Sequence, residues 1–123
     1  MKENNKELGT RCEKMAQNYL LEKGYSLVTN NYRTRNGEID IIFSKDEFLI
    51  FVEVKHIGKT GLESLYKSVD FNKRKKIVYM ANQFLYEHKE FQNSLIRFDV
   101  FGIDADKNII EHIENAFGES AIL

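Results

Sequence analysis

No proline occurs anywhere in this 123-residue sequence, and cysteine occurs once, at Cys12. A single thiol excludes an internal disulfide and fits a reducing cytoplasm, the compartment expected here. Without proline-rich, repetitive or low-complexity stretches, nothing reads as a linker. A chain of this length has room for one core, so residues 1–123 are expected to form a single domain. Long apolar runs are also lacking. The longest, Phe48 to Val52, is far too short to cross a bilayer. The polar stretch from Met1 to Thr10 has none of the apolar core of a signal peptide. No membrane partner is therefore expected. Strong net charge is missing too: the formal balance is −1, which gives no global argument for nucleic-acid binding.

What is present is an ordinary folding composition, 42% hydrophobic and 12% aromatic, with 30% charged residues. The charges are unevenly placed. Lys67, Lys73, Arg74, Lys75 and Lys76 crowd one stretch against Asp70 alone, whereas Asp104, Asp106, Glu111, Glu114 and Glu119 crowd another against Lys107. The near-neutral sum thus conceals a candidate polyanion footprint. The simpler reading of the same runs is a solvated helix start and a solvated acidic tail.

Leu8, Cys12, Met15, Ala16, Tyr19 and Leu20 recur at helical spacing, which predicts an amphipathic first helix ending at Gly24. Tyr25 to Asn30 reads as a short strand, followed by a polar loop through Asn36 and Gly37. Two nearly continuous apolar segments, 38–44 and 48–56, read as strands buried on both faces. Gly58 and Gly61 mark a loop, and 62–69 reads as either a short helix or irregular structure. Asp70 is the expected N-cap of a second helix running to about His88, with Ile77, Val78, Ala81, Phe84 and Leu85 on its apolar side. Strands are expected from Ile96 to Ile103 and from Ile109 to Ile113. The result is an α/β fold, a mixed central sheet flanked by helices in two or three layers, in α-β-β-β-α-β order with an extra C-terminal strand.

The chemistry of interest lies on the two central strands. Asp40 sits in Gly37-Glu38-Ile39-Asp40, and Glu53 and Lys55 sit in Phe51-Val52-Glu53-Val54-Lys55. Strand side chains alternate, so Glu53 and Lys55 share one face while Ile50, Val52 and Val54 take the other. Ionised groups on a buried strand are costly unless paired or bound to metal. With Asp46 and Glu47 at the hairpin tip, Lys45 pairs with Phe48 and Asp40 falls opposite Glu53. A register shift by one would send the two carboxylates to opposite faces. In the favourable register, Asp40, Glu53 and the Val54 carbonyl converge on one hard cation such as Mg2+. Lys55 stands beside it. The competing reading is a structural salt bridge between Lys55 and either carboxylate.

These motifs, together with Arg97-Phe98-Asp99-Val100, the helix bearing Gly9 and Glu13, Ser68-Val69, Lys73 and Asn115-Ala116-Phe117, resemble the YraN-like proteins across almost the whole chain. That is a bacterial family of predicted endonucleases with a restriction-endonuclease-like fold, similar to archaeal Holliday junction resolvases. The resemblance implies catalytic roles for Glu13, Asp40, Glu53 and Lys55. Glu13, on the flank of the helix's apolar stripe, either reaches toward the strand carboxylates or is an ordinary exposed helix residue. Two departures stand out. The basic residue that the family often carries two places after the lysine is absent, so that phosphate contact is either missing or supplied by His56. The usual threonine ahead of the second helix is Asp70.

The implied function is a Mg2+- or Mn2+-dependent endonuclease hydrolysing DNA phosphodiester bonds, with branched or otherwise structured DNA among its substrates. The alternative is a non-catalytic nucleic-acid-binding protein of the same fold. A more distant third reading is an adaptor whose acidic tail recruits a partner. Lys73 and Lys76, three apart on one helix, are the preferred phosphate contacts, with Arg74 and Lys75 adding diffuse attraction. Tyr32, Arg33 and Arg35 are candidates to stack on or grip a nucleic acid. Arg97 and Asp99 are expected to form a structural ion pair buttressing the site. Cys12 is expected in the core, and His88 and His112 at the surface. Two cuts in a duplex usually need two active sites, which points to a homodimer.

Overall fold

A computed structural model describes residues 2–58 and 69–118 of the chain. Gly61, Lys67, Ser68 and Glu119, and the uncertain segment from 62 as far as Ser68, lie outside the described residues.

Helix α1 spans Asn5–Glu22, and the Asn4 side chain caps it by accepting from the Glu7 N–H at 2.8 Å. It buries Cys12, Ala16 and Leu20, the 4-residue spacing of one helical face. The helix ends where Gly24 takes φ +90°, a conformation that costs glycine little. The chain then forms β1 (Ser26–Thr34), β2 (Gly37–Lys45) and β3 (Phe48–His56), an antiparallel meander. Helix α2 (Phe71–Glu87) and a short 3-10 turn (Lys89–Phe91) carry it across to β4 (Leu95–Asp104), which pairs parallel with β3. Strand β5 (Ile109–Phe117) closes the far edge, antiparallel to β4. The sheet order is β1-β2-β3-β4-β5.

The hairpin tip falls at Asp46 and Glu47, with Lys45 paired to Phe48. Asp70 caps α2, its Oδ1 accepting from the Lys73 N–H at 2.9 Å. Two strands are longer than their apolar patterns suggest. β1 continues through Asn31–Thr34 to a tight turn at Arg35 and Asn36, and β5 continues through Glu114–Ala116. Both are edge strands, where polar side chains face water at little cost, so no alternation announces them.

The helices cover opposite faces, so the architecture has three layers. On one side Cys12, Ala16 and Leu20 pack with Ile41, Phe43, Ile50, Val52 and Phe101. On the other Ile77, Ala81 and Phe84 pack with Ile42, Leu49, Phe51, Phe98 and Val100. Central strands β3 and β4 are covered twice, which explains their nearly unbroken apolar character. Among the described residues, three charged ones are nonetheless buried: Glu53, Asp99 and Asp104.

Candidate metal and nucleic-acid site

The β2–β3 ladder runs from Lys45–Phe48 to Ile41–Val52 and stops there. The same register brings Asp40 level with Glu53, but β2 departs from regular pleating at this point. Ile39 packs into the α2-side core with Ile42, three residues away, whereas strict alternation would put them on opposite faces. Opposite Asp40, Asn31 of β1 takes φ +53°. The Val54 N–H, which a continued ladder would give to backbone, donates instead to Asp40 Oδ2 at 2.8 Å. In a strand the N–H and C=O of one residue point the same way, so the Val54 carbonyl also faces the gap.

Glu53 points to the α2 side and is 7% exposed. It is paired with Lys73 from the first turn of α2. The salt bridge at this carboxylate therefore exists, but its cation is Lys73 rather than Lys55. Burial and the charge of Glu53 push Asp40 up to about 8; Glu13 adds to this, against the Val54 N–H and Lys73. Lys55 is lowered by burial and by the nearby Lys73 ammonium, with Glu53 and Asp40 opposing. Burial pulls Lys73 down, yet the Glu53 carboxylate outweighs it and leaves Lys73 raised. Glu13 is raised by its own burial, then by Glu38 and Glu53.

Glu13 does reach inward. Its carboxylate, with those of Glu38 and Asp40, offers oxygens within 4.8 Å of one another. The Asn31 amide, turned to satisfy its neighbours, donates to Glu38 at 2.7 Å and Glu13 at 3.3 Å. Glu38 also binds Arg33 Nε at 3.1 Å. Sequence reasoning quoted Glu38 without giving it a role, although it lies two residues before Asp40 on one strand and parity alone would have flagged it. Glu13, Glu38 and Asp40 line a cleft of about 600 Å³, and Asp40 also feels the charges of Glu53 and Lys73. A set of carboxylate oxygens, mutually repelling and partly dehydrated, suits a hard divalent cation. The residues fit the ion.

The other predicted contacts are dispersed. Lys75 and Lys76 are exposed on α2, and Arg74 is half-buried, its Nε without a hydrogen bond among the described residues. Arg33 and Arg35 are exposed on β1 and in its turn. His56 follows the parity of Val52 and Val54 to the α1 side, its Nδ1 3.1 Å from the Ile103 carbonyl and 3.9 Å from Cys12 Sγ. Tyr32 is turned inward, edge-on to Phe84 at 5.2 Å with its hydroxyl donating to Glu87. Its ring is committed to the core rather than to a ligand.

Arg97 and Asp99 form the expected ion pair, two-pronged at 2.9 Å, and Tyr25 accepts from Arg97 at 2.8 Å. It lies on the α1 face of the sheet, the face opposite Glu53, sharing strand parity with Phe101 and Ile103. His112 is not at the surface. It stacks on Phe101 at 4.2 Å and bonds Asp99 Oδ2 at 2.7 Å, because a buried carboxylate needs more than one partner. His88 likewise stacks on Phe84, at 4.0 Å.

Fold and site together define an α/β protein with an acidic cleft lined by Glu13, Glu38 and Asp40. The chain belongs to the uncharacterised protein family UPF0102, whose model matches residues 12–103, a span that includes Glu13, Glu38, Asp40, Glu53, Lys55 and Lys73. A UPF0102 protein of Clostridioides difficile (strain 630) is 44% identical over 114 residues, covering 93% of this chain and 99% of that protein. One from Natranaerobius thermophilus is 42% identical over 118 residues, with coverage of 93% and 99%. One from Legionella pneumophila (strain Philadelphia 1) is 36% identical over 111 residues, with coverage of 90% and 94%. No described helix is long and apolar enough to cross a membrane.

Proposed function

We propose that this protein is a metal-dependent endonuclease that hydrolyses DNA phosphodiester bonds, branched or otherwise structured DNA included, on a single restriction-endonuclease-like domain similar to archaeal Holliday junction resolvases. The observation that carries the reading is the Asp40 carboxylate. It fills the gap between two strands, accepts the Val54 N–H, and lies near enough to Glu53 for that charge to raise its pKa.

Asp40, Glu53 and the Val54 carbonyl would hold Mg2+ or Mn2+, with Glu13 and Glu38 forming the rest of the acidic wall. The ion supplies Lewis acidity toward the scissile phosphate and a lowered pKa for an attacking water. Lys55 orients that water and offsets charge developing on the phosphorane oxygens. Lys73 holds Glu53 in place and adds a second positive charge next to the phosphate. Lys76, with Arg74 and Lys75, draws the DNA backbone toward the cleft. Arg33, Arg35 and His56 are peripheral contacts in this scheme. The setting is cytoplasmic, and cutting both strands of a duplex calls for a homodimer.

A second reading, a nucleic-acid-binding protein that does not cleave, draws on the Lys73–Glu53 pair, which satisfies Glu53 without any metal. Two variants separate the readings. Glu53→Gln should weaken Mg2+ binding measured by calorimetry and abolish cleavage while DNA affinity holds or rises. Lys55→Ala should stop cleavage and leave Mg2+ affinity nearly unchanged, because an ammonium is no ligand for a hard cation. A folded Glu53→Gln variant with parental Mg2+ affinity refutes the metal site.

A further inference from the structure

The outer face of α2 carries large aromatic rings that the core does not use. Tyr79 is 60% exposed and Tyr86 is 80% exposed. They lie seven residues apart, two helical turns, and so share one face. Tyr79 stands in a groove of about 460 Å³ with Asn36, Asn72, Lys75 and Lys76. A second groove, of about 400 Å³, shares Asn36, Asn72 and Lys76 with the first and is lined further in by Glu38 and Lys73. The two grooves thus adjoin, placing Tyr79 on the approach to Glu38 and Lys73.

The electrostatics of this approach select a polyanion. Lys73, Arg74, Lys75 and Lys76 follow one another on α2, and the helix has no acidic residue before Glu87. The Asp70 carboxylate at its start is engaged by the Lys73 N–H. An exposed ring flanked by lysines is the pairing that binds single-stranded nucleic acid: the cations take phosphates and the ring takes a base face. A duplex cannot use the ring, because its bases are stacked inside and its exterior is phosphate.

Building on the proposed nuclease site, we infer that Tyr79 is a base-stacking residue and that α2 guides an unpaired DNA strand into the cleft. The substrate is then single-stranded on the α2 side of the cut, as at a flap, a fork or an opened junction. Tyr86, about 10 Å further along the helix axis at 1.5 Å per residue, extends the platform for the same strand.

The test is binding without cleavage, by fluorescence anisotropy of labelled oligothymidine and of a labelled duplex, with the full chain in EDTA. Tyr79→Ala should weaken single-strand binding about tenfold and leave duplex binding as it was. Tyr79→Phe should retain parental affinity for the single strand, since stacking needs the ring and not the hydroxyl. The salt dependence of Tyr79→Ala should match the parent, while Lys75→Ala with Lys76→Ala should flatten it on both DNAs. Equal losses on single strand and duplex overturn the inference. So does a Tyr79→Phe variant as weak as Tyr79→Ala, or a parent with no single-strand binding. Tyr79-dependent, strand-selective binding in a protein that never cleaves would leave the platform standing and remove the nuclease. Cleavage without any effect of Tyr79→Ala would do the reverse.

Discussion

Replacing Asp40 by asparagine removes one negative charge from the most crowded point of the cleft while keeping its shape. The amide oxygen can still accept the Val54 N–H that Oδ2 accepts at 2.8 Å. Asp40 is pushed from 3.8 up to about 8 in the folded protein, by burial first and by Glu53 next. A carboxyl raised in this way contributes its full stability below its unfolded pKa and loses it as pH climbs toward the folded one. At about 1.4 kcal/mol per unit, the roughly three units between 3.8 and neutrality set a ceiling of about 4 kcal/mol at pH 7. Water enters this open cleft and the neighbouring carboxylates share protons, so about 1–3 kcal/mol is expected. Urea unfolding of Asp40→Asn and the parent in EDTA reads this directly. The variant should be the more stable at pH 7, with a gap that vanishes near pH 4 and widens toward pH 8. Adding Mg2+ should narrow it, because the ion stabilises only the protein that binds it. A variant less stable than the parent at pH 7, or a gap independent of pH, would refute the reasoning.

Lys73→Ala strands the Glu53 carboxylate and should cost about 1–3 kcal/mol in urea unfolding. Lys76→Ala, on an exposed position, should leave stability unchanged and only flatten the salt dependence of DNA binding. Asp99 is depressed below its ordinary 3.8: burial alone would raise it, and the bonds from His112, Arg97 and the Asn115 N–H prevail. Its contribution is therefore present above pH 3.8 and lost as pH falls through the lower folded value, so Asp99→Asn should abolish part of the parent's stability loss below about pH 4. Acid titrations followed by circular dichroism check this.

Much of the framework was legible because it rests on local chemistry. The polar residues from Ser44 to Glu47 pointed to a hairpin there, whose tip the Lys45–Phe48 pair places at Asp46 and Glu47, and Asp70 marked the start of α2 three residues before the N–H it caps. The apolar strands announced a doubly covered sheet. The edges were not legible: Tyr32, Arg33 and Thr34 are strand by pairing with β2, Glu114–Ala116 span a register shift before Phe117 pairs with Phe98, and their side chains carry no sign of either. At the site, parity placed Glu53 and Lys55 together, and the register brought Asp40 alongside. That Lys73 would reach Glu53 depends on how the β3–α2–β4 crossover sets the helix on the sheet, which no local pattern encodes. His112 was misjudged for a related reason. Its partner Asp99 is a neighbour only once β5 pairs with β4.

Strand scission itself tests the central claim most directly. Labelled four-way-junction, linear duplex and single-stranded DNA are incubated with the parent, Glu53→Gln and Lys55→Ala, in Mg2+, in Mn2+ and in EDTA. The account predicts cleavage by the parent in either metal, none in chelator, and none by either variant. A folded, DNA-binding parent that leaves every substrate intact, or cleavage that persists in EDTA, would contradict it.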